Sequence, residues 1–173
     1  MIKKGDYNEI RVFIASSAEL DQDKEMFDLY FSDKNKLYRE ERIVFDHRTW
    51  KDFSSSLNEG RLQDRYNDFI RECDLVIFLF HTRLGRYTRE ELEVASAAFR
   101  QNGRRPRIFV YFKEEGIEDD ALRDFKEYCE KRLGHFCDVY ATYDDWHVKF
   151  DRQLKMLEEE GFIRAPRKRE RMA

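Results

Sequence analysis

Short apolar runs alternate along this chain with longer segments in which apolar side chains recur every three or four residues. The short runs favour β-strands because they are rich in branched and aromatic side chains. Five such strands are predicted: 10–15, 43–45, 75–80, 108–112 and 136–140. The run Leu75–Phe80 is apolar at every position, which is expected of a central strand that helices cover on both faces.

The segments between and after these runs predict five amphipathic helices, the third of which follows the strand 75–80. The apolar positions of the other four are Leu20, Phe27, Tyr30 and Phe31; Leu62, Tyr66, Phe69 and Ile70; Leu122, Phe125, Tyr128 and Cys129; and Trp146, Phe150, Leu154 and Leu157. Alternating strands and helices are typical of an α/β domain with a parallel sheet. We therefore predict a flavodoxin-like three-layer sandwich with five parallel strands in the order 2-1-3-4-5.

Length and charge indicate one ordinary domain. The chain has 173 residues, and we assign 1–163 to the domain and 164–173 to a basic tail or truncated linker. The 33 basic and 36 acidic side chains nearly cancel, which gives no reason to expect nucleic acid or an anionic membrane as a partner. No apolar run reaches the roughly 20 residues of a membrane helix.

Cysteine and histidine usage argues against a metal centre. The three cysteines form no CxxC pair, and the four histidines are scattered. An odd number of cysteines without such pairs is typical of reduced thiols in a cytoplasmic protein. We therefore predict a cytoplasmic protein without a metal site.

The predicted fold also predicts where a ligand binds. In open parallel sheets, ligands lie beyond the carboxyl ends of the strands, where the strand order reverses. In the order 2-1-3-4-5, this crevice lies between strands one and three. The residues delivered there are Ser16 and Ser17 after strand one and 80–88 after strand three. The glutamates Glu90, Glu91 and Glu93 follow in the first turns of the third helix.

Several common occupants of this crevice are excluded by the residues present. A phosphate-receiver domain needs an aspartate at the end of strand three, where this chain has Phe80 and His81. A flavin-type phosphate loop after strand one would be rich in glycine and threonine, and "SSAELDQ" contains neither. The chain also lacks the GxGxxG and P-loop motifs for nucleotide phosphates.

Four separated motifs resemble those of bacterial Toll/interleukin receptor (TIR) domains, the closest likeness being to antiphage effectors. They are "RVFIASSAEL", the W and F of "RTWKDF", "LQDRYNDFIRECDLVIFLF" and "GRYTREELEVA", and the resemblance runs from about Ile10 to Phe162. It implies a flavodoxin-like fold and, for many members, hydrolysis of NAD+ between nicotinamide and ribose. It also implies that a glutamate in the first turns of the third helix carries the chemistry, in the pattern of an aromatic residue, three further residues and then Glu-Leu. Here Tyr87, Glu91 and Leu92 match this pattern, although many members have tryptophan at the aromatic position.

The resemblance implies roles for other residues as well. Glu91 is the predicted catalytic residue, and NAD+ is the substrate, so no separate cofactor is expected. The predicted substrate-binding residues are Ser16, Ser17, Trp50, Phe80, Arg83, Tyr87 and Thr88. The loop with Trp50, Lys51 and Phe53 is expected to pack onto a second copy, so that the site is completed in a homo-oligomer or filament. A nucleotide-sensing domain, fused or separate, is a further expected partner in antiphage defence.

One glutamate suffices for this chemistry because nicotinamide already carries a positive charge in NAD+. It departs as a neutral molecule without a general acid, and the charge passes to the ribose. A fixed carboxylate stabilises that transition state more than the ground state. At a helix N-terminus, Glu91 is expected to stay ionised because the positive end of the helix dipole favours an anion.

Structural alternatives stay open at several of these positions. Thr88-Arg89-Glu90-Glu91 and Ser16-Ser17-Ala18-Glu19 both fit the capping box S/T-x-x-E, in which the glutamate only helps to start a helix. Phe80 at the end of a buried strand could serve only as a core residue, and Trp50 could serve only to anchor its loop by packing. The alternative for Glu90 and Glu93 is that they face solvent or form ion pairs with nearby arginines.

Two other functions fit the same fold. One is a self-associating adaptor without turnover, which would need neither Glu91 nor an aromatic residue before it. The other is a nucleoside transferase of a related α/β type, which would also use a glutamate but would exchange the released base for an added one.

Overall fold

The computed structural model describes residues 6–16, 18–49, 59–114 and 119–166. In these ranges, one sheet contains five strands, all paired in parallel in the order β2-β1-β3-β4-β5. The strands are β1 (Asn8–Ser16), β2 (Ile43–Arg48), β3 (Leu75–Phe80), β4 (Arg107–Lys113) and β5 (Phe136–Tyr140). The predicted flavodoxin-like α/β fold and strand order are confirmed.

Five helices alternate with these strands along the chain. They are α1 (Asp21–Leu37), α2 (Glu59–Glu72), α3 (Arg86–Asn102), α4 (Asp120–Tyr128) and α5 (Tyr143–Glu159). A short 3-10 turn, Ala18–Leu20, precedes α1, and a π-helical turn, Cys129–Leu133, extends α4. Among the described helices, none is both long and apolar enough to cross a membrane.

The two faces of the sheet carry separate cores because successive side chains of a strand point to opposite faces. Leu75, Ile77 and Leu79 of β3 join the core under α1 and α5. Val76 and Phe78 join the core under α2, α3 and α4. This arrangement explains why every residue of β3 is apolar and buried.

The strand order places the carboxyl ends of β1 and β3 side by side in the middle of the sheet. Ser16, the last residue of β1, pairs in register with Leu79, one residue before the end of β3. The chain leaves β1 toward α1 on one face and leaves β3 toward α3 on the other. These two exits form the reversal point at which ligands bind in open parallel sheets.

Candidate functional site

The helix that carries Glu91 begins earlier than the capping-box alternative requires. Gly85 is the N-cap of α3, in an extended conformation, and its carbonyl accepts the first helical hydrogen bond from Arg89 N–H at 3.2 Å. Thr88 is therefore the third residue of the helix and lies inside it, 5% exposed. Because an N-cap residue must lie outside the helical turn, Thr88 and Glu91 do not form a capping box.

Glu91 is buried between α2 and α3, with 6% of its surface exposed. Gln63 Nε2 of α2 donates a hydrogen bond to Glu91 Oε1 at 3.5 Å. Burial raises the pKa of Glu91 to about 7, and the bond from Gln63 only partly offsets it. The expectation that the helix dipole keeps this carboxyl ionised is therefore wrong. Glu91 is in the second turn, and the dipole acts mainly within the first.

A buried lysine from the opposite helix layer acts on Glu91. Lys24 of α1 is 2% exposed and pairs with Asp21 at 3.3 Å. Burial has the larger influence on the pKa of Glu91, but the ammonium of Lys24 lowers it. Lys24 lies in the first turn of α1, which follows β1, and Glu91 lies in the second turn of α3, which follows β3, so both residues lie toward the carboxyl edge of the sheet. Glu91 therefore belongs to the predicted reversal point between β1 and β3.

Glu19 connects the exits of β1 and β3. Its carboxylate accepts hydrogen bonds from Thr82 N–H at 3.0 Å, from the Thr82 hydroxyl, and from Arg83 N–H at 3.4 Å. Glu19 is therefore not the second half of a capping box with Ser16, as the sequence allowed. The Ser16 hydroxyl is buried and has no hydrogen-bond partner within the described ranges.

Phe80 packs in the core, as the structural alternative expected, and its contact with substrate stays a prediction. It is 1% exposed, its ring stacks on Phe112 at 5.3 Å between centroids, and Phe125 meets it edge-on at 5.2 Å. The alternation of β3 places this side chain on the face of the sheet that α4 covers. Arg83 lies in the loop after β3 and is exposed, so its side chain is accessible from solvent.

Several predicted residues lie outside the described part of the chain. These are Ser17 and the loop with Trp50, Lys51 and Phe53, together with the side chain of Tyr87. Their roles in substrate binding and self-association stay predictions.

The neighbouring glutamates have different partners. Glu93 forms an ion pair with Arg89 at 3.5 Å, as expected for an exposed residue one helical turn away. Glu90 accepts a hydrogen bond from Asn67 Nδ2 of α2 at 2.9 Å, so its partner is an amide instead of an arginine.

Three residues around Glu91 were missed by sequence reasoning: Gln63, Asn67 and Lys24. Lys24 could have been found, because it lies four residues after Leu20 and three before Phe27, on the apolar face of its helix. A charged residue at such a position is unusual and suggests a specific role. Gln63 and Asn67 contact residues 28 and 23 positions away, and no local pattern predicts contacts of that kind.

The described residues leave Glu91 covered instead of bordering an open groove. A groove of about 540 Å³ does lie against α3, but it opens toward α4 and is lined by Arg89, Leu92, Ser96 and Tyr128 among others. Within the described ranges, no group of three or more His, Cys, Asp or Glu side chains could hold a metal ion. What the site offers is one buried carboxyl that accepts a hydrogen bond from an amide and is influenced by the charge of Lys24.

Comparisons with known proteins support the fold. No family model matches this chain, and no curated protein matches it. The CMP N-glycosidase of Clostridium botulinum superimposes with a TM-score of 0.53 at 20% identity, over 83% of this chain and 98% of that one. A conserved protein from Enterococcus faecalis V583 gives 0.47 at 9% identity, over 84% and 99% of the two chains. The 2-desoxiribosyltransferase of Leishmania mexicana gives 0.41 at 15% identity, over 71% and 99%. The first of these likenesses shows a shared fold.

Proposed function

We propose that this protein cleaves the N-glycosidic bond of a nucleotide and that Glu91 is the carboxylate that acts at the ribose carbon C1′. One observation carries the proposal: a carboxyl buried at the reversal point of the sheet, with its pKa raised to about 7. Perturbed carboxyls of this kind concentrate at functional sites. The named activity of the Clostridium protein, which has the same fold, belongs to this class of reaction.

The reaction needs an anion beside C1′. As the bond to the base breaks, positive charge develops on C1′ and on the ribose ring oxygen. An ionised Glu91 stabilises that charge or bonds to C1′, and water then completes the hydrolysis. The buried Ser16 hydroxyl, which has no hydrogen-bond partner within the described ranges, would bond to a ribose oxygen once the site opens. Glu91 is 6% exposed, so the side chains that cover it must move aside when the ribose enters.

NAD+ is the substrate that fits a single carboxyl best. With a pKa of about 7, Glu91 is protonated in roughly half of the free molecules at pH 7. A pyridinium ring nearby favours the ionised form by direct attraction, and nicotinamide leaves without a proton. The substrate would therefore convert Glu91 into the form that the reaction needs.

A nucleotide with a neutral base, such as CMP, is the second candidate. The named activity of the Clostridium structure favours it. A neutral base leaves readily only when it receives a proton, so this reaction needs a proton donor besides Glu91.

The test is release of the free base from NAD+ and, separately, from CMP by the full chain, at low and at high protein concentration. We expect nicotinamide release that falls about 100-fold or more in Glu91→Gln. The matched control is Glu93→Gln, which removes an equal charge from the exposed side of the same helix and should keep the parent rate.

Three outcomes would change the proposal. An unchanged rate in Glu91→Gln would remove Glu91 from the chemistry. Release of cytosine without nicotinamide would keep the reaction and replace the substrate. Exchange of nicotinamide for an added base would indicate a transferase.

The TIR relationship, the antiphage role and assembly through the loop at Trp50–Phe53 stay predictions. Activity that rises steeply with protein concentration would support assembly.

A further inference from the structure

Two amide side chains on α2 link two consecutive glutamates on α3. Gln63 Nε2 donates to Glu91 Oε1 at 3.5 Å and to Asn67 Oδ1 at 3.1 Å. Asn67 Nδ2 donates in turn to Glu90 Oε1 at 2.9 Å. Gln63 and Asn67 are each 7% exposed, although glutamine and asparagine are mostly found at protein surfaces. The amide chain, Gln63–Asn67–Glu90, thus connects an exposed carboxylate with the buried one.

The amide chain has a fixed direction. A carboxylate has no hydrogen to donate, so Glu90 requires the NH2 group of Asn67 to face it. The carbonyl of Asn67 then faces Gln63 and requires the NH2 group of that residue. Gln63 therefore presents a donor to Glu91 instead of a carbonyl oxygen. A donor favours the ionised form of a carboxyl, whereas a carbonyl oxygen would favour the protonated form.

We propose that Asn67 and Glu90 are positioning residues: they fix the amide of Gln63 so that it presents a donor to Glu91, which favours the ionised form and orients the carboxyl toward C1′. This inference rests on the proposed N-glycosidase function, but the orientation of the amide can be tested without substrate. It gives Glu90 the role of an anchor, distinct from that of a second catalytic acid.

Other groups also affect the ionisation of Glu91. Burial raises its pKa most, Lys24 of α1 lowers it by attraction, and Glu90 raises it by like charge. Tyr66 of α2 lies near enough for Glu91 to raise the pKa of its phenol, although burial raises that pKa more. A substitution at Glu90 therefore removes a repulsion and, if the new side chain cannot accept, also releases the amide chain. The experiment must separate these two effects.

The matched pair Glu90→Gln and Glu90→Leu separates them. Both variants remove the charge, and only glutamine keeps an acceptor for Asn67. With the full chain and the nucleotide that it cleaves, we expect kcat of Glu90→Leu to be about tenfold below that of Glu90→Gln, with KM within about twofold. We also expect the acid limb of the pH–rate profile to lie about one pH unit higher in Glu90→Leu. Equal kcat and equal acid limbs in the two variants would overturn the proposal.

A substrate-free titration distinguishes this proposal from the proposed function. The chemical shift of the Glu91 carboxyl carbon is followed against pH by NMR in protein labelled with 13C at glutamate. The signal of Glu91 is identified as the one that is missing in Glu91→Gln. Methionine in Gln63→Met cannot donate a hydrogen bond. In this variant and in Glu90→Leu, the pKa of Glu91 should lie about one pH unit above its value in Glu90→Gln. If the titrations move in this way and no nucleotide is cleaved, the proposed function fails and the amide chain stands. If nucleotide is cleaved through Glu91 and the titrations do not move, the amide chain fails alone.

Discussion

Asp151 and Glu91 are carboxyl side chains on opposite faces of the sheet, and their surroundings act on them in opposite ways. Asp151 lies beside α1, where the Tyr30 hydroxyl donates to it at 2.5 Å and Lys34 Nζ lies 2.8 Å away. Burial alone would raise the pKa of Asp151, but the hydrogen bonds from Lys34 and Tyr30 outweigh it, and the pKa is lowered. Glu91 receives one hydrogen bond among the described residues, the long one from Gln63, so burial prevails and its pKa is about 7.

The two cores around these carboxyls also differ. Under α1 and α5, aromatic rings pack together, with Trp146 lying 4.1 Å from Phe27 and 4.9 Å from Phe150 between ring centroids. Under α2 and α3, the interior contains polar side chains. Five of the eight buried polar residues of the described ranges belong to these two helices: Gln63, Asn67, Thr88, Glu91 and Ser96. The fold neutralises a partly buried carboxyl on one face and leaves a buried one unneutralised on the other, which is the pattern expected where the second has a chemical task.

The largest expected effect on stability comes from removing the unneutralised carboxyl. A pKa of about 7 in the folded protein, against an ordinary 4.5, means that the folded state binds this proton more tightly than the unfolded state. The stability that this proton contributes is present below pH 4.5 and is lost as pH rises through 7. At about 1.4 kcal/mol per pH unit, the loss is roughly 3 kcal/mol. Glu91→Gln should therefore be more stable than the parent by about 3 kcal/mol at pH 8 and equal to it near pH 4.5.

Urea unfolding of both proteins at several pH values measures this difference, because groups common to both cancel. A parent and variant that differ by the same amount at every pH would show that Glu91 does not titrate abnormally. The proposed site would then lose its main physical support.

The reverse pH dependence is expected at Asp151. Its pKa is lowered in the folded protein, so the stability that its charge contributes is present above the ordinary value of 3.8 and is lost as pH falls through the folded value. Asp151→Asn keeps an oxygen for Tyr30 but removes the charge that faces Lys34. Since Asp151 is about one-third exposed, we expect a loss of only about 1 kcal/mol at pH 7, shrinking at pH 3. A variant as stable as the parent at pH 7 would remove the contrast between the two faces.

The sheet could be predicted from sequence because its strands are apolar runs of suitable length. The bounds of Leu75–Phe80 and Phe136–Tyr140 match the prediction, and the other three strands extend past it by one to three residues. The extensions contain polar residues such as Asn8, Arg48 and Lys113, whose backbones continue the pairing. Backbone pairing does not need an apolar side chain, so the apolar pattern ends before the strand does.

The site was predicted only in outline because its partners are distant in the chain. The sequence placed Glu91 in the right helix but left open whether Thr88 caps that helix. The N-cap is Gly85 instead, whose carbonyl accepts from Arg89, and glycine and threonine are both common N-cap residues. The amides of α2 could not be assigned to Glu90 and Glu91 without the packing of α2 against α3. That packing also explains the error about ionisation, since burial of Glu91 outweighs any effect of the dipole.

The smallest effect is expected from a variant that makes the same change of charge at an exposed position of α3. Glu93 lies two residues after Glu91, and its side chain is 70% exposed beside Arg89. Glu93→Gln removes the same charge from the same helix, but an exposed ion pair one turn apart contributes at most about 0.5 kcal/mol. We expect the free energy of unfolding to change by no more than that, both at pH 4.5 and at pH 8. If Glu93→Gln stabilised the protein at pH 8 as much as Glu91→Gln, the gain would come from the net charge of α3. Burial of one carboxyl between α2 and α3 would then not be its cause.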